Sequence, residues 1–358
     1  MSKVTNEIVL KALANVTEPE LKKDVVSLGF VKNVSIEEGR VSCQIEVATS
    51  SSPAQEQLKK QAIDSILEIP GVKEAHVQIV TRVRNTSPAN TPIPGIKNII
   101  PISSAKGGVG KSTVSANLAM ALSKKGAKVG LMDADIYGPS IPTLLNVTES
   151  PTPKENNIIV PVEKYGLKVM SMGFFLPEDK AVIWRGPMLN KMITQFLKGV
   201  EWGELDYLLI DLPPGTGDVQ LTLCQQVPLT GAVIVSTPQT VALNIAKKGM
   251  AMFQQLNCPI IGVIENMSYY QIPNGEKDYI FGESGAKKFA EELQLPFLGE
   301  IPIATTIRKQ SDEGMPIVEA DMDSPHAQAF IAAAENLASQ VESMHTSGDV
   351  PQEIKLTF

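Results

Sequence analysis

Ser104-Ala-Lys-Gly-Gly-Val-Gly-Lys-Ser-Thr113 decides the fold of this 358-residue chain. Before it, Asn98-Ile-Ile-Pro-Ile-Ser103 is apolar and β-branched, the composition of a buried strand, and after it Val114 to Leu122 reads as a helix. A glycine-rich turn between strand and helix lets backbone N–H groups wrap phosphate oxygens at the positive end of the helix dipole. The loop residues Gly107, Gly108, Val109, Gly110 and Thr113 form that cradle. Lys111 is spaced to reach the β- and γ-phosphates of ATP, and the Ser112 hydroxyl to ligate Mg²⁺.

Working outward, apolar strand-like runs alternate with helical ones from Ile96 to about Ser343. The strands expected are Ile99–Ser103, Val129–Met132, Leu167–Met172, Tyr207–Ile210, Ala232–Ser236, Ile260–Glu265 and Pro296–Ile301. Such alternation predicts an α/β fold with a mainly parallel sheet flanked by helices on both faces. Residues 1–84 predict a separate small α/β domain. Glu7–Val16 and Pro53–Leu67 have helical spacing, Glu18-Pro-Glu20 opens a short helical segment, and Val31–Ile36, Arg40–Val47 and Glu74–Val80 alternate like strands. Residues 85–95, with three prolines among polar residues, read as a linker. The larger domain is expected over 96–345, and 346–358 as a flexible tail.

Composition sets outer limits. The chain is 43% hydrophobic and 20% charged, with a net charge of −7. That balance suits a globular protein with a substantial core and argues against broad nucleic-acid binding, which needs a basic face. No apolar run reaches the ~18–20 residues of a membrane span, so no membrane partner is expected. The first residues lack the basic-then-apolar layout of a secretory signal. Three cysteines, Cys43, Cys224 and Cys258, are few, odd in number and far apart, so no disulfide framework is expected. A cytoplasmic location follows.

Hydrolysis needs a positioned water and a second anchor for Mg²⁺, and both have candidates at strand ends, where open α/β sheets place ligands. Leu131-Met-Asp-Ala-Asp-Ile-Tyr-Gly-Pro-Ser140 carries Asp133 and Asp135, either an orienter of the attacking water or members of an Asp-rich turn. Leu208-Leu-Ile-Asp-Leu-Pro-Pro-Gly-Thr-Gly-Asp218 ends an apolar strand in Asp211, suited to Mg²⁺, and its Gly215 and Gly217 permit a loop that senses the γ-phosphate. In Ile264-Glu-Asn-Met-Ser268, Asn266 is placed either to hydrogen-bond the purine or to close a strand-end turn.

The phosphate loop has Ala105 where the first glycine of G-x-x-x-x-G-K-[ST] usually stands, followed by a second lysine, Lys106. That variant resembles the loop of the MinD/ParA/nitrogenase-iron-protein class, and the resemblance implies a homodimer in which Lys106 contacts phosphate across the interface. Together with Asp133–Ser140, Trp184-Arg-Gly-Pro-Met188, Asp211–Asp218 and Glu265-Asn-Met-Ser268, it is similar to the Mrp/ApbC family over residues 96–340. Residues 5–82 resemble the small PaaD-type domain of iron–sulfur assembly factors. The resemblance implies a dimeric, slow, Mg²⁺-dependent ATPase that carries iron–sulfur clusters to apo iron–sulfur client proteins. By carry-over, Lys106 acts in trans, Lys111 and Ser112 on phosphate and Mg²⁺, Asp135 on water and Asp211 on the metal.

Against the pattern, Tyr269-Tyr-Gln-Ile-Pro-Asn-Gly275 places Ile272 and Gly275 where many members have a Cys-x-x-Cys pair that binds a [4Fe-4S] cluster. The small domain reads Thr49-Ser-Ser-Ser-Pro53 where relatives often have Cys-Pro. Cys224 is left as the candidate cluster ligand, with ordinary core packing the leading account of each of the three cysteines. His76, His326 and His345 show no metal-ligand spacing. Two alternatives stand beside the carrier: an ATP-gated switch that docks a client and binds no cluster, and a MinD/ParA-like positioning ATPase. The last is disfavoured because Asp349–Phe358 contains proline and lacks the basic face of a membrane-seeking helix.

Overall fold

The computed structural model describes residues 4–17, 24–27, 30–37, 39–47, 52–81, 91–175, 186–215 and 217–347. The chain divides into two compact units, Met1–Ser87 and Pro88–Phe358.

In the smaller unit, helix α1 (Asn6–Leu13) and helix α2 (Ser52–Leu67) accompany strands β1 (Val31–Glu37), β2 (Arg40–Val47) and β3 (Glu74–Thr81). β2 is central, antiparallel to β1 and parallel to β3. Alternation decides the inner face: Val41, Cys43 and Ile45 are buried with Val77, Leu58, Ile66, Val9 and Leu13. On the other face, Asn33, Gln44 and Gln78 join the three strands through side-chain amides at 2.8 and 3.0 Å. The short helical segment expected at Glu18–Glu20 lies outside the described residues.

The larger unit is an eight-stranded sheet built from β4 (Ile96–Ser103), β5 (Val129–Asp133), β6 (Val162–Lys164), β7 (Leu167–Ser171), β8 (Leu205–Asp211), β9 (Ala232–Ser236), β10 (Ile260–Glu265) and β11 (Phe297–Glu300). Its order is β11-β10-β9-β4-β8-β5-β7-β6, parallel throughout except for β6 at the edge. All seven strands expected from the apolar runs are present. The antiparallel β6 was not anticipated, because Val162-Glu-Lys164 is too short and polar to stand out as a run.

Period-two alternation sends neighbouring residues to opposite cores. Ile100, Ile102 and Leu209 pack with helix α3 (Lys111–Lys124) and the C-terminal helix Pro325–Ser347. Ile99, Leu208 and Ile210 pack instead with helix α4 (Gly186–Lys198), helix α5 (Asp218–Gln226), helix α6 (Thr240–Gln255) and helix α7 (Gly285–Glu292). Being covered on both faces is why the strands are continuous apolar runs.

The boundaries differ from expectation at two places. Of the linker expected at 85–95, residues 85–90 lie outside the described residues. Ile93, by contrast, is buried in the larger unit and accepts the N–H of Ile96. The C-terminal helix runs to Ser347, taking in the first two residues of the expected tail, and 348–358 lie outside the described residues.

Candidate nucleotide site

β4 delivers the chain to the phosphate loop and α3 leaves it, so Gly107 to Thr113 sit at the carboxyl end of the sheet. Gly108 and Gly110 take φ of +82° and +77°, conformations open to glycine and strained for other residues. At Gly110 a Cβ would also collide with the Asn266 side-chain amide, which would have to leave the Val109 carbonyl. A cavity of about 270 Å³ is lined by the loop together with Asp135, Ser140, Leu144 and Pro214.

Strand register explains why the acidic residues converge. Asp211 ends β8 between Ile102 of β4 and Asp133 of β5, and Asp133 pairs in turn with Ser171 of β7. Asp211 is fully buried. Its carboxylate meets Lys111 Nζ at 2.7 Å and accepts the hydroxyls of Ser112 and Ser115, each at 2.6 Å. Hydroxyl and carboxylate oxygens are the hard donors that Mg²⁺ prefers, and Lys111 and Ser112 lie beside a loop whose N–H groups suit phosphate. The donor set therefore fits a magnesium nucleotide.

The two aspartates of the 133–135 turn do different things. Asp133 accepts the N–H groups of Asp135, Ser140 and Ile141 and the hydroxyl of Ser171, at 3.0–3.1 Å. Burial, and then the nearby charge of Asp211, push its carboxyl up to about 7. It organises the turn from inside. Asp135 lines the cavity and accepts N–H groups from Tyr137 and Gly138, each at 3.2 Å. Burial raises its carboxyl above the usual range, and the Lys111 charge opposes that rise.

Lys106 is exposed on the loop, and its carbonyl accepts the Ser104 hydroxyl at 3.1 Å. Gly215, at φ +96°, donates its N–H to the Ser104 carbonyl at 2.9 Å, which holds Gly215 against the phosphate loop. Asn266 donates Nδ2 to the Val109 carbonyl at 2.8 Å. Its amide nitrogen is thus engaged with the phosphate loop itself, a contact not foreseen beside the purine reading.

Sequence reasoning missed Ser115 and Gln220. Ser115 sits three residues after Ser112, on the same helix face, so the spacing carried a signal. Gln220 is fully buried; its Nε2 donates to the carbonyls of Pro213 and Gly215, and its Oε1 accepts the Gly217 N–H. A glutamine three residues past a helix N-cap was the readable sign. Trp184 and Arg185 lie outside the described residues.

Cys224 is not at this site. It stands in the last turn of α5 and packs against the core that includes Cys258, which leads into the starting end of β10, whereas Asn266 follows the finishing end. Among the described residues no group of three or more His, Cys, Asp or Glu is arranged to hold a metal ion. The Tyr270–Gln271 and Lys277–Asp278 hairpin, where Ile272 and Gly275 replace the expected cysteines, is closed by backbone bonds from Ile272 to Glu276 and from Gly275 to Ile272.

Residues 95–338 match the family model described as NUBPL iron-transfer P-loop NTPase, and residues 6–79 match one described as iron–sulfur cluster assembly protein. The chain is 44% identical over 347 residues to the iron–sulfur cluster carrier protein of Synechocystis, covering 94% of this chain and 98% of the relative. A nucleotide-binding protein from Archaeoglobus fulgidus, solved with ADP, is 42% identical, with a TM-score of 0.57 over 66% of this chain and 93% of its own. The cell-division ATPase MinD of Pyrococcus furiosus is a more distant likeness, 25% identical, with a TM-score of 0.52 over 68% of this chain and 98% of its own. No helix among the described residues is long and apolar enough to cross a membrane. The chain belongs to the NUBPL/Mrp family of iron-transfer P-loop NTPases.

Proposed function

We propose that this protein binds and slowly hydrolyses MgATP, and uses the cycle to carry iron–sulfur clusters to apoproteins. The observation that carries the nucleotide half is the contact of Lys111, Ser112 and Asp211 at the mouth of the glycine loop. The cargo half rests on near full-length similarity to a protein named an iron–sulfur cluster carrier.

Mg²⁺ would be held by Ser112 and Asp211 and would supply positive charge to stabilise phosphoryl transfer. Lys111 would turn from Asp211 to the β- and γ-phosphates, and the N–H groups of residues 107–113 would face the phosphates. Asp135, facing the cavity, orients the attacking water. Gly215 and its loop sense the γ-phosphate. Lys106, free on the surface of the loop, reaches the nucleotide of a second copy in a homodimer. Asn266 holds the loop and lies beside the purine. A cytoplasmic location fits these roles.

Lys111→Ala is expected to abolish nucleotide binding, whereas Asp135→Ala binds ATP and loses hydrolysis; fluorescent-nucleotide titration and phosphate release separate the two. Full turnover by the Asp135 variant would remove its role. For the cargo, iron and acid-labile sulfide are measured after anaerobic reconstitution and desalting, with about one cluster per dimer expected. A second reading, an ATP-gated switch that docks a client without a cluster, is favoured by one observation: Cys224 is packed against the hydrophobic core in the last turn of α5 and does not line the phosphate-loop cavity. Protein that keeps its ATPase and retains no iron would select it.

A further inference from the structure

Among the described residues three donors meet the Asp211 carboxylate, and they are not equivalent. Its Oδ1 accepts Lys111 Nζ at 2.7 Å and the Ser115 hydroxyl at 2.6 Å, and its Oδ2 accepts the Ser112 hydroxyl at 2.6 Å. Lys111 and Ser112 also line the cavity at the glycine loop, whereas Ser115 and Asp211 lie behind it. Ser115 is fully buried one turn into α3, and its hydroxyl lies 3.0 Å from the Lys111 carbonyl as well. It ties the carboxylate to the first turn of the helix that follows the loop. The backbone of Asp211 is held separately: its carbonyl accepts the Ala134 N–H at 2.9 Å, and the Leu212 N–H bonds the Ile102 carbonyl at 3.1 Å. What the strands leave open is rotation of the carboxyl about its side-chain bonds.

From this geometry, and on the proposed reading of Ser112 and Asp211 as magnesium anchors, we infer that Ser115 is a positioning residue that keeps the Asp211 carboxylate in orientation once the site is loaded. In that state Lys111 turns to phosphate and leaves Oδ1, while Ser112 stays at the cavity beside Oδ2. Ser115, outside the cavity, has no phosphate to serve and keeps its bond to Oδ1. A buried carboxylate oxygen that loses its cation needs another donor, because leaving it unpaired costs the full desolvation of the group. Without the Ser115 hydroxyl the carboxyl can rotate, and the oxygen shared with Ser112 moves with it. Ser115 touches neither nucleotide nor metal and acts through Asp211 alone.

Ser115→Ala removes the hydroxyl and suits the helix, alanine being the strongest helix former. Binding of a fluorescent, non-hydrolysable ATP analogue to the full chain is titrated in EDTA, and then against Mg²⁺ at fixed nucleotide. The metal-free affinity should stay within about twofold of wild type, and the Mg²⁺ midpoint should rise about tenfold, the scale of a hydrogen bond to a charged acceptor. In an Asp211→Ala background the same change should add less than about twofold, since a residue acting through that carboxylate has nothing left to hold. An unchanged Mg²⁺ midpoint in Ser115→Ala would overturn the inference, as would a metal-free affinity that falls in step with it, or equal increments in the two backgrounds. Wild-type protein whose nucleotide binding ignores Mg²⁺ would instead remove the magnesium site itself, and the role of Ser115 with it.

Discussion

At the scale of single residues, the site places negative charge where water does not reach. Asp211 is neutralised by Lys111, itself only 6% exposed, whereas Asp133 has hydrogen-bond donors and, among the described residues, no ion-pair partner. A carboxyl raised from 3.8 to about 7 binds its proton more tightly in the folded than in the unfolded chain. Between those values the native state holds more protons, so stability falls as pH rises through the window and levels above it. Thermal melts of the nucleotide-free protein across this range should show that decline. Asp133→Asn should flatten the slope, whatever it does to absolute stability, since the amide also loses acceptors. An unchanged slope would mean that Asp133 is ionised throughout.

At the scale of elements, the loop between β8 and α5 is shaped by one side chain. Gln220, itself fully buried, binds two carbonyls and one N–H of that loop. Gln220→Ala leaves all three unpaired, at a cost of about 1–3 kcal/mol. Urea denaturation should register that loss. With γ-phosphate sensing as the proposed role of this loop and the glycine loop untouched, hydrolysis should drop with little change in ADP affinity. A variant that loses ADP binding in step with hydrolysis would show that Gln220 supports the whole site rather than this loop.

At the scale of the whole molecule, two hydrophobic cores belong to the larger unit and one to the smaller. A core of its own lets a unit fold alone, and small units bury a lesser share of their surface. Residues 1–87 made separately should therefore give a circular dichroism spectrum with helix and strand. The full chain should melt in two steps, the small unit first. One calorimetric transition, with an unfolded fragment, would overturn that division.

Much of this was readable in the linear chain because it depends on neighbours in sequence. The seven parallel strands follow from buried apolar runs, and the glycine loop, Lys111, Ser112 and Asp211 from short motifs whose spacing is dictated by phosphate and Mg²⁺. The edge strand β6 gave no such signal, because three residues with a polar centre need a neighbour before they become a strand. Only the tertiary structure separated Asp133 from Asp135, since both stand in one turn and differ in whether strand register buries them beside Asp211 or leaves them facing the cavity. It alone seated Cys224 against a hydrophobic core rather than at the phosphate-loop cavity, and set Asn266 against Val109. A contact between positions 157 apart arises from how helices and strands pack, and no local pattern encodes that distance.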